Sequence, residues 1–305
     1  MSSLLTNSSA MTALQTLQSI SQGMATTQSR ISTGQRVASA SDNAAYWSIA
    51  TSMRADNSAL SAVSDSLGLS AATVDTEYTA LTAILGNEGT SGLNKLQALL
   101  VEAKTAGIDR TKIQSEITQI QQDMKNTANS ATFNGVNWIS TGPTTPATVN
   151  LVSSFSRVGG TPTINTIQVT VANYSLYTNT QTGFLDTVSG ATTVSIDTMN
   201  ISALTDSVAD QTTLDGLIAQ VVSAINTVSQ SAANLGAIKN RIGLQQNFVK
   251  TLTDSLDRGV GQLVDADMNA ESTRLQALQV QQQLGIQALS IANAGSQSIL
   301  SLFRG

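Results

Sequence analysis

The sequence predicts a mainly α-helical protein: a long antiparallel coiled-coil helical rod formed by both chain ends, with a small β-rich insert in the middle. Two uncharged strips at the chain ends and recurring heptad-like spacing of apolar residues predict the helical part. A Thr-rich window that contains all three prolines predicts the insert. The order of segments is nearly symmetric about this insert, so we expect the chain to run out and return.

The C-terminal strip has no charged residue from Leu275 through Phe303. Its heptad stripe consists of Leu275, Leu278, Leu289, Ala292, Ile299 and Phe303, with Gln282, Gly285 and Ser296 at intermediate positions. A second stripe contains Leu284, Ile291 and Leu302. Surface helices ordinarily keep Lys and Glu on the face toward water. We therefore expect this helix to be covered on nearly all sides in the functional state.

The N-terminal strip, residues 1–29, is also uncharged. The apolar positions along it, which continue just past its end, are Leu4, Met11, Leu14, Leu17, Met24 and Ile31. Two matched strips predict that the ends pack on each other and on copies of themselves. A simple intramolecular hairpin would tolerate charges on its outer side, and membrane-surface helices usually carry Lys or Arg. Burial in an assembly explains the missing charge better.

The first helical arm is expected to begin at a cap on Ser41 or Asp42, after a helix stop at Gly34. Glycines disfavour helix by roughly 1 kcal/mol relative to alanine, so the segment from Gly86 to Gly92 is interpreted as a loop or bulge. The second arm shows heptad spacing for roughly 36 residues, a helix of more than about 50 Å. We expect Gly259 and Gly261 to end it.

After Thr132 the helical spacing of apolar residues gives way to a Thr-rich composition that contains the prolines. Asn134-Gly135 is a tight-turn dipeptide. Alternating stretches at residues 166–171 and 192–196 predict strands. The predicted divisions are an N-terminal inner strip with linker, a first rod part, a variable insert, a second rod part and a C-terminal inner strip: 1–42, 43–142, 143–204, 205–262 and 263–305.

Composition excludes several classes of function. The chain has no Cys and no His, so it has no disulfide, no thiolate metal site and no histidine base. The net charge is −5 and no basic run is present, which argues against nucleic acid as a partner. No stretch predicts a membrane span or a signal peptide. The chain is expected to be soluble, or to leave the cell without cleavage of a leader.

Short motifs give no sign of catalysis or of a cofactor. Residues 265–269 look briefly like a calcium loop, but Ala270 and Gln276 stand where glycine and glutamate are needed. An acidic helix start explains these residues better. No nucleotide-binding loop or nucleophile elbow is present, and Trp47 and Trp138 are interpreted as packing residues. We expect no enzyme activity, no cofactor and no metal.

Five stretches together resemble the bacterial flagellin family. Residues 33–45, T-G-Q-R-V-A-S-A-S-D-N-A-A, resemble the family's N-terminal signature, and A-T-F-N-G-V at 131–136 resembles its T-x-F-N-G turn. L-G-A-I-K-N-R at 235–241 and D-A-D-M-N-A-E at 265–271 are similar to two further motifs. S-I-L-S-L at 298–302 resembles the family's C-terminus. The resemblance covers roughly residues 1–142 and 205–305.

The resemblance implies a structural subunit of the extracellular bacterial flagellum, which self-assembles into a hollow helical filament used for swimming. It implies secretion through the flagellar export apparatus with a secretion chaperone, polymerisation under a flagellar cap, and contacts with hook-associated proteins. The subunit would form a homopolymer or mix with other flagellins, without nucleic acid and without membrane insertion. The implied polymerisation interface consists of Leu4, Met11, Leu14, Leu17, Met24, Ile31, Arg36, Asp42, Leu275, Leu278, Leu289, Ile299, Leu302 and Phe303.

One surface departs from the family pattern. An innate-immune Toll-like receptor reads a helical surface on recognised flagellins that typically carries two arginines and a glutamate. Lys95, Gln97 and Ala98 stand there in this sequence, whereas Glu116 matches. We therefore predict weak or absent receptor signalling.

Two alternative functions stay open at this point. A hook–filament junction protein shares the terminal motifs, although the match at residues 265–271 and the short insert favour the filament subunit. A non-flagellar coiled-coil scaffold would carry charged residues beside its seam, which the strips lack.

Overall fold

The computed structural model describes residues 7–86, 91–143, 145–158, 161–188 and 194–302, and only the backbone of residues 158, 162 and 296–302. The helices in this part of the chain are α1 (Ser8–Thr33), α2 (Ala44–Leu85), α3 (Gly92–Ala103), α4 (Arg110–Ser130), α5 (Val208–Val264) and α6 (Met268–Leu302). The strands are β1 (Ser140–Thr141), β2 (Thr148–Val158), β3 (Thr161–Thr170) and β4 (Tyr177–Thr178). The mainly helical class with a strand-containing middle region is confirmed.

Helix α1 has defined caps at both ends. The Asn7 Oδ1 atom accepts a hydrogen bond from the Ala10 backbone N–H at 3.0 Å. At the other end Gly34 adopts a left-handed conformation with φ 69°, as C-terminal glycines commonly do. The predicted helix stop at Gly34 is confirmed.

The cap of α2 is Asn43, so the prediction of Ser41 or Asp42 was wrong. The Asn43 Oδ1 atom accepts from the Tyr46 N–H at 3.1 Å. The Asp42 carboxylate instead accepts from the N–H groups of Ser39 and Ala38, at 2.9 and 3.1 Å. Asp42 therefore orders the turn before the helix, one residue too early to cap it.

The break between α2 and α3 falls where the glycines predicted it. Helix α2 ends at Leu85, and Gly86 and Gly92 have φ values of 80° and 60°. A Cβ atom at Gly86 would lie 1.8 Å from the Ser91 carbonyl oxygen. Only glycine fits there, because any side chain would clash with backbone.

Helix α5 is continuous across Gly259 and Gly261, so the prediction that they end it was wrong. It spans 57 residues, to Val264. A Cβ atom at Gly259 would lie 2.8 Å from the Met53 Cε atom. Close packing of Met53 on the bare backbone compensates for the poor helix propensity of glycine, which is a weak preference that tertiary contacts override.

The middle region contains two small sheets. Strands β2 and β3 pair antiparallel, with Thr148 opposite Thr170, and β1 pairs with β4 in parallel. Asn134 and Gly135 both have positive φ, and Phe133 and Val136 exchange two backbone hydrogen bonds around them. This tight turn is confirmed. The strand predicted at residues 192–196 was wrong for its described part, residues 194–196, which belong to no strand.

Two compact units divide the chain. The first comprises the described residues of 1–58 and 253–305, and the second comprises those of 59–252. The first unit has a small cluster of Val37, Ala50 and Val264, flanked by Val260 and Leu263. The second has the larger core, whose fully buried side chains include Leu60, Leu67, Leu81, Ile84, Leu93, Leu96, Leu100, Ile117, Trp138 and Ile139.

Arg110 is a buried cation in the second unit. Its guanidinium donates to the carbonyls of Ala103 (2.9 Å) and Leu204 (3.1 Å) and to the Asp206 carboxylate (2.6 Å). The same hydrogen bond lowers the pKa of Asp206. Arg110 thus holds the turn between α3 and α4 against the segment that leads into α5.

Glu77 is a buried carboxyl group in the second unit. Its side chain has no exposed surface, and its Oε1 atom accepts from the Trp138 backbone N–H at 2.8 Å. Its Oε2 atom and the Trp138 Nε1 atom are buried without a hydrogen-bond partner. Burial raises the pKa of Glu77 to about 7, because a low-dielectric surrounding disfavours the charged form.

Candidate polymerisation surface

The two terminal helices, α1 and α6, pack along each other in the first unit. On α6 the half-buried side is the predicted heptad stripe, which the structure shows as far as Ala292: Leu275, Leu278, Gln282, Gly285, Leu289 and Ala292. Strict alternation of three and four residues is the pattern of a coiled-coil seam. The prediction that the two chain ends pack on each other is confirmed.

On α1 the seam is shifted from the predicted stripe. It consists of Ala10, Ala13, Leu17, Ile20, Met24, Thr27 and Ile31. Leu17, Met24 and Ile31 are therefore seam residues, whereas Met11 and Leu14 lie outside it, 65% and 51% exposed. Sequence reasoning missed Ala10, Ala13 and Ile20, although their spacing is as regular as that of α6.

Two leucine–glycine contacts fix how closely the helices approach. A Cβ atom at Gly285 would lie 3.3 Å from the Leu17 Cγ atom, and one at Gly23 would lie 3.6 Å from the Leu278 Cδ2 atom. Each helix thus contributes one leucine and one bare position. This reciprocal arrangement is a knobs-into-holes contact in which glycine forms the floor of the hole.

Polar contacts fix both ends of the pair. The Arg30 Nη1 atom lies 3.1 Å from the Glu271 Oε1 atom, and Glu271 is also 3.8 Å from Arg274. At the other end the Asn7 Nδ2 atom donates to the Ala292 carbonyl at 3.0 Å. In the sequence, Arg30 directly follows the N-terminal strip, and Arg274 and Glu271 are the nearest charges before the C-terminal strip, a signal that could have predicted this contact.

The family signature lies in the linker, which pairs with the chain between α5 and α6. The Arg36 backbone N–H donates to the Val264 carbonyl at 2.6 Å, and its guanidinium donates to the Leu263 carbonyl at 3.1 Å. The guanidinium also lies 5.9 Å from the Tyr46 ring centroid. Hydrogen bonds from Ser39 lower the pKa of Asp42. Arg36 and Asp42 therefore order the linker inside one chain.

The acidic motif at residues 265–271 begins α6, which confirms the predicted acidic helix start. The Asp267 Oδ1 atom accepts from the N–H groups of Asn269 (2.9 Å) and Ala270 (3.2 Å). Such a cap satisfies amides that have no partner within the helix. No group of three metal-ligating side chains occurs among the residues described.

An apolar surface remains exposed on the α1–α6 pair. Besides Met11 and Leu14 it contains Val280, Leu284, Ile286 and Ile291, the last 74% exposed. Exposed apolar side chains that cluster on one element mark interaction sites. Of the remaining predicted interface residues, Leu4 and Phe303 and the side chains of Ile299 and Leu302 lie outside the described part.

The residues of the predicted receptor surface lie on α3 and α4 in the second unit. The Lys95 ammonium is 3.8 Å from the Glu116 carboxylate, Gln97 is half-buried and Ala98 is exposed. The structure thus brings Lys95 and Glu116 together across two helices. Among the helices as described, none is long and apolar enough to cross a membrane.

The fold and this surface define the class as a helical structural protein whose paired terminal helices each carry a long uncharged stretch. Two family comparisons agree. The bacterial flagellin N-terminal helical region matches residues 4–144, and the bacterial flagellin C-terminal helical region matches residues 218–303. The chain belongs to the bacterial flagellin family and is a subunit of the flagellar filament.

Curated relatives match over their full length. Flagellin C of Rhizobium meliloti is 42% identical over 334 residues, covering 100% of both chains. Flagellin A of the same species is 41% identical and the flagellin of Brucella melitensis 45% identical, again over 100% of each chain. The family is a structural one, and the junction-protein and scaffold alternatives are not favoured.

Proposed function

We propose that this flagellin polymerises through its terminal helices, so that α1 and α6 form the inner layer of the filament wall. The supporting observation is the long uncharged stretch on each helix of the α1–α6 pair, residues 8–29 and 275–302, which leaves Leu284 and Ile291 in water when the chain is alone. Each fully buried leucine or isoleucine contributes roughly 1.5–3 kcal/mol. Contacts repeated head to tail by the same surfaces generate a helical polymer.

The inner layer is proposed to be residues 1–42 and 263–305, with rod parts at 43–142 and 205–262. Residues 143–204, which contain the β2–β3 hairpin, would face outward. In this arrangement the interface includes Leu17, Met24, Ile31, Leu275, Leu278 and Leu289 as the residues that hold the pair together. Met11, Leu14 and the apolar side of α6 supply the contacts between copies.

Secretion and accessory partners complete the proposal. The chain would be exported by the flagellar export apparatus with a secretion chaperone, be added beneath the cap, and follow hook-associated proteins in the growing structure. Rhizobium meliloti has relatives named flagellin A, B, C and D, each matched over 100% of its length. A filament mixed with sister flagellins is therefore part of the proposal.

Seeded polymerisation of purified protein tests the function. Full-length chain would be compared with a double truncation lacking residues 1–29 and 275–305, using sedimentation and electron microscopy. A matched control deletes the hairpin residues 148–170, which belong to the other unit. We expect filaments from the full chain and from the hairpin deletion only. Filaments from the double truncation would contradict the proposal.

Weak recognition by the innate-immune receptor is proposed for the second unit. Lys95 is engaged by Glu116, and neither Gln97 nor Ala98 offers the cation that the family pattern supplies. Cells reporting Toll-like receptor activation should respond weakly to purified protein, with a recognised flagellin as the positive control. Robust activation would contradict this proposal.

A further inference from the structure

Helix α6 has a second, outward heptad stripe on the side opposite its seam with α1. This stripe, here called the α6 outer face, consists of Ala277, Val280, Leu284, Gln287, Ile291 and Ala294. All six residues are exposed, and they alternate by three and four residues as strictly as the seam does. In a two-stranded coiled coil these positions normally face water and are polar.

The corresponding positions of α1 have the opposite character. They are Thr12, Gln15, Ser19, Gln22, Thr26 and Ser29. The hydroxyls of Thr12, Ser19 and Thr26 donate to carbonyls of the preceding turn, at 3.0, 2.8 and 3.0 Å. This face is polar, and these three hydroxyls are already engaged within the helix. The two helices are therefore unequal, and only α6 has an apolar stripe on its outer face.

A site for this stripe lies on α1 and overlaps its polar face at Thr12 and Gln15. A shallow groove of about 640 Å³ is lined by Ser8, Met11, Thr12, Leu14, Gln15 and Gln18. Met11 and Leu14 supply its apolar surface, and none of the described residues that line it is charged. An uncharged groove of this kind suits aliphatic side chains from a second helix.

The polymer's symmetry decides between possible partners for the outer face. If the α6 outer face paired with the same face of another copy, the contact would be isologous and would close a dimer. A filament needs contacts between two different patches. On the described part of the α1–α6 pair, Met11 and Leu14 in the α1 groove form an exposed apolar patch that differs from the outer face.

We propose that the α6 outer face of one subunit inserts into the α1 groove of the next, with Val280, Leu284 and Ile291 meeting Met11 and Leu14. The contact is directional, because each subunit offers one apolar stripe and one groove. The inference rests on the proposed function, since it specifies which surfaces of the terminal helices meet in the filament.

Cysteine cross-linking tests the proposed contact. Because the chain has no cysteine, disulfides can form only between the introduced residues. Leu14→Cys chains would be mixed with Val280→Cys, Leu284→Cys or Ile291→Cys chains, polymerised and oxidised. Disulfides form only where Cα atoms approach within about 7 Å. We expect a dimer of the two unlike chains in filaments from at least one mixture, and none in monomers. Gln279→Cys, exposed about 100° or more around α6 from the three tested positions, is the matched control.

The outcomes separate the inference from the function. If the wild-type chain forms no filaments, the proposed function and this inference both fail. If filaments form but none of the three mixtures yields the unlike dimer, or if Leu284→Cys chains link to one another instead, the inference alone is overturned.

A pair of charged substitutions provides a second test of the contact, which applies even if a cysteine variant does not polymerise. Leu14→Glu and Leu284→Lys are each expected to raise the critical concentration for polymerisation about tenfold or more. The double variant places opposite charges at each proposed contact, so it should recover most of the loss. A double variant worse than either single one would overturn the inference.

Discussion

Leu17 on α1 lies so close to Gly285 on α6 that an added methyl group there would stand 3.3 Å from its Cγ atom. Leu278 makes the reverse contact with Gly23, at 3.6 Å. Both contacts pair residues at the same antiparallel register as Arg30 with Glu271 and Asn7 with Ala292. Four independent contacts therefore specify one alignment of the terminal helices.

Gly285→Leu is expected to separate α1 from α6, because the larger side chain has no space beside Leu17. Overpacking of this kind typically costs about 1–3 kcal/mol. Amide hydrogen exchange of the full chain should show faster exchange along both helices. Gly68→Leu is the control, since nothing lies within 4 Å of a Cβ atom at Gly68. Unchanged exchange in α1 and α6 would show that the contact does not limit their approach.

Arg30→Ala is expected to destabilise the terminal pair by about 1–3 kcal/mol, because it removes the nearer cation from the largely buried Glu271. The double variant Arg30→Glu with Glu271→Arg should recover part of this loss, as a thermal melt of the filaments would measure. Lys112→Ala serves as control, because its ion pair with Asp109 is exposed and such pairs contribute about 1 kcal/mol or less. Equal effects of Arg30→Ala and Lys112→Ala would contradict this role.

Glu77 makes stability depend on pH in a defined direction. Its pKa is about 7 in the folded chain and near 4.5 in the unfolded one, so the folded state binds more protons between those values. Stability should therefore fall as pH rises from 4.5 to 7 and then stay level, by about 3 kcal/mol at most.

Glu77→Gln should remove that pH dependence, because the amide stays neutral. Chemical denaturation at pH 4.5 and pH 8 is the measurement, with the exposed Glu102→Gln as control. The variant should gain stability relative to wild type mainly at pH 8. A pH profile identical to that of wild type would mean that the Glu77 carboxyl is already ionised at no cost.

Arg110→Lys is expected to destabilise the second unit by about 2–4 kcal/mol, because one ammonium cannot reach the three acceptors that the guanidinium reaches. Lys104→Ala, which removes the exposed ion pair with Asp215, should cost less than about 1 kcal/mol. Denaturant unfolding of both variants compares the two directly. A smaller loss of stability for Arg110→Lys than for Lys104→Ala would contradict the role of Arg110 in holding the α3–α4 turn against the segment before α5.

The sequence predicted α6 better than α1 because of how their apolar residues are distributed. On α6, the seam contains Leu275, Leu278 and Leu289. The seam of α6 can therefore be recognised in the sequence from the spacing of its large apolar residues. On α1 the seam begins with Ala10 and Ala13, while the larger Met11 and Leu14 stand one position away and outside it. Size alone selects the wrong stripe there, because a close helix contact prefers small residues.

Local rules failed where a distant contact decided the structure. Gly259 lies in the interior of α5 because Met53, some 200 positions away in sequence, packs on it. Asp42 was predicted as a cap, yet the backbone of Ala38 and Ser39 engages its carboxylate first. The resemblance to flagellins identified the family correctly, whereas the seam and the groove depend on contacts between distant parts of the chain.

Arg30 and Glu271 are separated by 241 positions in the sequence. The terminal unit can therefore form only after nearly the whole chain is present. Closing so long a loop is entropically costly and is repaid only once the last helix is in place. A chain cut short before Glu271 would leave the seam of α1 without its partner. Under the proposed contact, incomplete subunits would not assemble, because they lack the helix whose outer face enters the groove of the next copy.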